Sequence, residues 1–424
     1  MPISYLKQAP RPFNESDPTV GATVSSMLAA LERHGEDEAR RLAAEFDDWT
    51  GPIVIDQPPL ADAAAALPDE LVADIRHAHR HIEAFAGAQA ASMSEFEIEI
   101  APGLVAGQRL VPVSTAGCYV PAGRFAHIAS ALMSVTTAKV AGVDNIVVAS
   151  PARPDRNGVH PAIAFAAQLA GATHLLGLGG VQGLSALAYG LFTGLRADVI
   201  VGPGNSYVAE AKRQLFGLVG IDVIAGPTES MVVADDTANA HTVATDLVGQ
   251  AEHGPDSPVW LVTTSQRLAE QVGAIVDDLA SDLPDPARTS ALSAWRDHGE
   301  IILADTREEA AACCDDYAPE HLQVMCSDLD WWRHRLRNYG SLFLGEETTV
   351  TFGDKSSGPN HILPTGRAAR YSGGLNVHRF IKQLTWQELT PEASSAEAPI
   401  AARISRYEGM EGHARSADLR AAGT

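Results

Sequence analysis

Apolar residues recur at three- and four-residue spacing over 20–33, 36–46 and 70–85, the period of a helix with one buried face. These stretches are rich in Ala and Glu and poor in β-branched residues, which fits helix. At 96–100 the pattern switches to strict alternation, Phe-Glu-Ile-Glu-Ile, the mark of a half-buried strand. Gly103 and Gly107 punctuate the way to a second strand at 109–113, so a hairpin is predicted.

From Gly117 onward, short apolar runs are separated by segments of helix length. Strands are predicted at 145–149, 173–178 and 197–202, with helices at 128–141, 161–170 and 184–193. The alternation resumes with strands at 231–234, 259–263, 300–304 and 341–344 and helices at 239–253, 266–279, 307–315 and 329–339. Such βαβα alternation is the signature of parallel sheets covered on both faces, and two blocks of it predict two similar α/β units. Beyond Gly353 the chain is punctuated by Gly, Pro and Ser, then weakly helical over 399–422. That tail is too short to build its own core and is expected to pack on something else, such as a partner subunit.

Charge narrows the function classes. Against 53 Asp and Glu stand 31 Lys and Arg in 424 residues, a net charge of −22. There is no basic excess to displace counterions from nucleic acid or to bind an anionic membrane. No apolar run approaches the roughly 18 residues of a membrane span, and the N-terminus lacks the apolar segment of a leader. The cysteines Cys118, Cys313, Cys314 and Cys326 form neither a disulfide framework nor a zinc-finger spacing. A soluble, cytoplasmic protein is expected.

Several segments carry candidate chemistry. Gly177-Leu-Gly179-Gly-Val-Gln-Gly183 follows a predicted strand and opens a helix, one residue longer than the usual dinucleotide fingerprint. It reads either as a cofactor turn or as a plain strand–helix turn. Gly202-Pro-Gly204-Asn205 is a second such turn, and no acidic residue follows at the usual distance to bind a ribose. Gln250 and His253 share a helix face, as a polar helix end or as ligands. Glu320 and His321 could divide acid and base work, but neighbours in a strand point apart, so a bend is required. The loop 353–361 is densely polar, and His413 sits in an otherwise ordinary tail where a solvated histidine is the plain alternative.

Eight blocks change this picture: GCYVP (117–121), GGVQG (179–183), GPGNSYVAEAKR (202–213), AGPTE (225–229), QAEH (250–253), APEHL (318–322), GDKSSGPNHILPT (353–365) and EGMEGH (408–413). In order and interval they resemble the histidinol dehydrogenase family. The resemblance implies an α/β fold of two Rossmann-like parallel-sheet domains, an N-terminal helical part, and a C-terminal extension exchanged between the subunits of a homodimer. The corresponding divisions are 1–115, 116–229, 230–352 and 353–424. It further implies zinc on Gln250, His253, Asp354 and His413, the last from the partner subunit, and a catalytic pair Glu320 and His321. NAD contacts fall on Tyr119, Gln182 and Asn205. Substrate contacts fall on Thr228, Gln250, His253, Glu320, His321, Asp354, His361, Glu408 and His413. The implied reaction is a four-electron oxidation of a primary alcohol through an aldehyde to a carboxylate.

Two departures bear on the alcohol. Lys355 stands where the histidinol enzymes carry an aromatic residue, and Pro359 where they carry Thr. The blocks 116–142, 257–263 and 328–347 look closer to the sulfopropanediol 3-dehydrogenase branch, which oxidises 2,3-dihydroxypropane-1-sulfonate to 3-sulfolactate. Lys355 could supply the cation a sulfonate needs; Arg124 and Arg367 are the other candidates. Histidinol is the alternative substrate. A catalytically silent dimeric binding protein is a different class, but it would be expected to have lost ligand positions that are all present here.

Overall fold

The computed structural model describes residues 3–10, 18–123, 125–224 and 226–421. The apolar runs of the first unit pair as a parallel sheet in the order Gly220–Ile221, Val199–Val201, Thr115–Tyr119, Asn145–Ala149, His174–Leu176. Every residue of Val199–Val201 and Thr115–Tyr119 is buried, as expected for strands covered on both faces. Thr115–Tyr119 was absent from the predicted strands because its Ala, Gly and Cys carry little strand signal. Strand order reverses beside it: the chain builds outward to His174–Leu176, then returns to place Val199–Val201 on its other side. Ligands of open α/β sheets bind at such a switch point.

The N-terminal helices Pro18–Asp47 and Asp69–Ala91 cover this unit, the first interrupted at Gly35, whose φ of 57° lies in the left-handed region. Their apolar residues Val24, Leu31, Leu42, Ile75 and Ile82 join one continuous core with Cys118 and Ile146 of the sheet.

The second sheet runs Ile3–Lys7, Glu300–Ala304, Val259–Thr263, Ser230–Ala234, His321–Met325, Ser341–Leu344. All neighbours are parallel except the edge strand Ile3–Lys7. That edge strand corrects the expectation of a purely helical start. Its partner lies some three hundred residues away, which local pattern cannot register. Alternate side chains feed two cores. Val232, Leu261 and Ile301 pack with the helices Ala240–Ala251, Gln266–Ser281 and Ala287–His298. Met231, Trp260 and Val324 pack with Arg307–Tyr317 and Leu329–Arg335.

The predicted hairpin is present as Phe96–Ala101 and Leu104–Pro112, and a third antiparallel strand, Ile381–Leu389, joins it. Gly107 is required there, because a Cβ would lie 2.6 Å from the Trp386 indole. The chain ends in the helices Pro391–Tyr407 and Glu411–Asp418, which pack on each other. Among the described residues, no helix is long and apolar enough to cross a membrane.

Candidate active site

Ionisable residues gather where three loops enter the second sheet. The helix Arg307–Tyr317 ends at Ala318, whose φ of 49° turns the chain sharply before Pro319. That is the bend the Glu320–His321 pair requires: His321 opens the strand His321–Met325, Glu320 precedes it, and Glu320 Oε2 lies 3.6 Å from His321 Nδ1. Glu229, just before Ser230–Ala234, positions both through its backbone. Its N–H donates to Glu320 Oε2 at 3.0 Å, and its carbonyl oxygen lies 3.1 Å from His321 Nδ1. In the neutral ring, with Nδ1–H donated to that carbonyl, Nε2 is the basic nitrogen, and it is buried.

Nε2 looks onto Asp354, 3.5 Å from Oδ1, and Asp354 Oδ2 lies 3.8 Å from His253 Nε2. Asp354 belongs to the short helix Val350–Lys355, and His253 follows the end of Ala240–Ala251. The loop beyond Asp354 ties the site to the first unit. His361 Nδ1 lies 2.9 Å from the Asp354 carbonyl oxygen and its Nε2 lies 2.8 Å from Ser130 Oγ, while Asn360 Nδ2 donates to the Met133 carbonyl at 3.1 Å.

Charge is held where chemistry can use it. Burial pushes Glu320 up to about 7, with the His321 imidazole opposing. Burial works to lower His321, but Glu320 and then Asp354 outweigh it and raise it to about 9. Burial likewise works to raise Asp354, yet His321, His361 and His253 hold its carboxyl well below the usual range. His253 is lowered, chiefly by burial, and so presents a neutral ring. Burial pushes Glu229 up to about 8; the Gly366 N–H donates to its Oε1 and its Oε2 has no partner.

The chain matches the family model for histidinol dehydrogenase over residues 11–421. It is 57% identical over 422 residues to a histidinol dehydrogenase homolog of Ruegeria pomeroyi, covering 99% of this chain and 97% of the relative. It is 53% identical over 422 residues to the sulfopropanediol 3-dehydrogenase of the same organism, covering 100% of this chain and 97% of the relative. The crystal structure of histidinol dehydrogenase from Elizabethkingia anophelis superposes with a TM-score of 0.89 at 31% identity, over 97% of this chain and 94% of that one.

The chain belongs to the histidinol dehydrogenase family.

Family membership makes it a dehydrogenase acting on a CH–OH group, in an α/β fold like that of the solved relative. Of the four residues expected to hold zinc, three lie close along the structure. Gln250 is buried with its Oε1 unpartnered, His253 donates its backbone N–H to the Gln250 carbonyl at 3.3 Å, and His253 faces Asp354. An orphaned amide oxygen, a neutral imidazole and an ionised carboxylate suit zinc. Among the described residues, no three His, Cys, Asp or Glu side chains group to hold a metal by themselves, so the set depends on the Gln250 amide and a further ligand. Glu408, just after the helix Pro391–Tyr407, and His413, on Glu411–Asp418, are exposed, and no hydrogen bond or ion pair among the described residues joins them to Gln250, His253 or Asp354.

The NAD candidates lie together at the first sheet's switch point. Buried Tyr119 ends its strand, and its hydroxyl accepts the Gly180 N–H at 3.0 Å. Gln182 is buried in the first turn of the helix Gly180–Tyr189. Asn205 is exposed, and its Oδ1 caps the helix Ser206–Leu215 by accepting the Tyr207 and Val208 N–H groups at 3.1 Å. Behind it, the buried pair Lys212 and Asp222 clamps Gly202: Lys212 Nζ donates to its carbonyl at 2.9 Å and Asp222 Oδ2 accepts its N–H at 2.8 Å. Thr228 is half-buried beside Glu229. Lys355 is exposed, but its positive charge helps to lower His253, His361 and His127, so it borders the site. Arg367 is paired with Asp316 at 2.9 Å, and Arg124 lies outside the described residues. Glu229, Ser130 and His127 were not singled out from sequence; Glu229 lies in the family block 225–229, and His127 and Ser130 lie in 116–142, the stretch that looks closer to the sulfopropanediol branch.

Proposed function

We propose that this chain oxidises a primary alcohol through the aldehyde to the carboxylate, using zinc and two molecules of NAD, and that its alcohol is 2,3-dihydroxypropane-1-sulfonate. The observation that carries the reaction is the convergence of Glu320, His321 and Asp354 within ion-pair distance in a buried site. Bound on Gln250, His253, Asp354 and the partner's His413, zinc would fix and polarise the reacting oxygen, and NAD would accept the hydride at each oxidation.

The side chains of this chain do the rest. In its neutral form, His321 takes the hydroxyl proton through Nε2 as hydride leaves the carbinol carbon. Glu320, ionised above about pH 7, takes a proton from the water that adds to the aldehyde. The His321 imidazolium returns its proton to the former carbonyl oxygen to complete the hydrate. Neutral again, His321 takes a hydroxyl proton as the second hydride leaves to NAD, and the resulting carboxylic acid ionises to the carboxylate. Burial of the pair retains the aldehyde between steps and limits side reactions.

Two features support the sulfonate. A sulfopropanediol 3-dehydrogenase is similar over the whole chain. Lys355, next to Asp354 in sequence and exposed, also adds a fixed cation at the border of the site. The net charge of −22 counts little against an anionic substrate, because salt screens charges beyond roughly 10 Å at 0.1 M. The test is NAD reduction by the purified protein with each alcohol. Turnover of the sulfonate diol with 3-sulfolactate as product is expected; turnover of histidinol alone would contradict the substrate.

A further inference from the structure

In sequence, the glycine turn 177–183 lacks the acidic residue that dinucleotide folds use to bind a ribose. The structure brings one from elsewhere. Asp47, the last residue of the helix Pro18–Asp47, lies against this turn. Gln182 Nε2 donates to its Oδ2 at 3.3 Å, and the Gly179 N–H donates to the same carboxylate. A Cβ on Gly179 would lie 3.1 Å from that oxygen, so glycine lets the approach happen. The adjacent Gly180 N–H is taken by the Tyr119 hydroxyl. Two N–H groups that would cradle a diphosphate are therefore already satisfied by the protein's own oxygens.

A carboxylate at this point suits a different part of the cofactor. It has about four lone-pair positions, so after accepting from Gln182 and Gly179 it can still accept from the vicinal hydroxyls of a ribose. It would repel a phosphate ester on either hydroxyl. Arg153 is the competing feature: its charge reaches Asp47, and its Nε is buried without a hydrogen-bond partner. Asp47, not Arg153, is the side chain bonded to the turn.

We propose that Asp47 is a specificity-determining residue, accepting the adenosine ribose hydroxyls of NAD and excluding the 2′-phosphate of NADP. This rests on the NAD reading above. The test is calorimetric binding of NAD and NADP, without alcohol, to the wild type and to Asp47→Asn and Asp47→Ser. Wild-type protein is expected to prefer NAD by about a hundredfold, and each variant to narrow that preference by about tenfold, the size of one charge-assisted hydrogen bond. AMP and adenosine 2′,5′-bisphosphate give the same comparison on unaltered protein, with AMP expected to bind more tightly. Folded variants that keep the wild-type preference would overturn the role of Asp47 while leaving NAD use intact. A wild type that prefers NADP or the bisphosphate would assign the site to Arg153. A wild type that binds neither dinucleotide would remove the NAD reading and this inference together.

Discussion

The two sheets offer opposite ends to the site. In the first, Tyr119 and Gly202 stand at the carboxyl ends of strands, where the helices Gly180–Tyr189 and Ser206–Leu215 begin. In the second, Glu229 and His321 stand at the amino ends of Ser230–Ala234 and His321–Met325, where Ala240–Ala251 and Arg307–Tyr317 finish. A helix start carries roughly half a positive charge and a helix finish roughly half a negative one. The first end therefore offers helix starts to a dinucleotide, with Asp47 at the 177–183 turn setting that part toward a ribose rather than a phosphate, and the second suits a metal cation and a protonated imidazole. The His361 loop joins these two ends, bonding the Asp354 carbonyl on one side and Ser130 on the other.

Breaking each end should give a different failure. The largest effect is expected from stripping the metal with a chelator: turnover should fall by about 10³-fold or more and return with Zn²⁺, while NAD affinity stays unchanged. Loss of both together would mean that the two ends are not separate.

Glu320→Gln is expected to slow the aldehyde-to-acid step by about 10²-fold, so that aldehyde accumulates and can be trapped with a hydrazine. The same variant sharpens the charge account. Glu320 raises His321, so its neutralisation should move the ascending limb of the first oxidation, where His321 becomes neutral and able to act as base, to lower pH. An unmoved limb would separate the two residues.

Gly202→Ala attacks the other end. The backbone there has φ +125°, and a Cβ would sit 2.0 Å from the Tyr119 carbonyl oxygen. Strain of about 1–3 kcal/mol should lower the melting temperature and weaken NAD binding, with metal content unchanged. The smallest effect is expected from Lys355→Met. Because Lys355 is exposed, KM for the sulfonate should rise by only about fivefold, and KM for histidinol should stay flat.

How much of this was legible in the sequence depended on how far apart the partners lie. The βα alternation announced both sheets because each strand and helix carries its own apolar period. Ile3–Lys7 could not be read, since its ladder partner, Ala304 opposite Ile3, lies some three hundred residues further along the chain. The Glu320–His321 dipeptide was visible, but its use hinged on the left-handed Ala318, and no glycine marks that bend. Gln250 and His253 were visible as a spacing and open to a plain structural reading; what favours ligation is the unpartnered Gln250 oxygen, which only packing reveals. Asp47 was invisible as a ribose acid because it reaches the turn from 135 residues away from Gln182. His413 was visible only as a histidine in an ordinary tail, and Glu408 was named through the family resemblance alone; both are exposed, Glu408 just after Pro391–Tyr407 and His413 on Glu411–Asp418.

The most direct test of the division between the two ends is a crystal structure of the protein soaked with NAD, recorded with anomalous scattering at the zinc edge. The expected result is one peak per site beside Gln250, His253 and Asp354, with NAD lying on the turns at 177–183 and 202–205. A metal bound at the glycine turns, or a dinucleotide lying across the amino ends of Ser230–Ala234 and His321–Met325, would contradict the account.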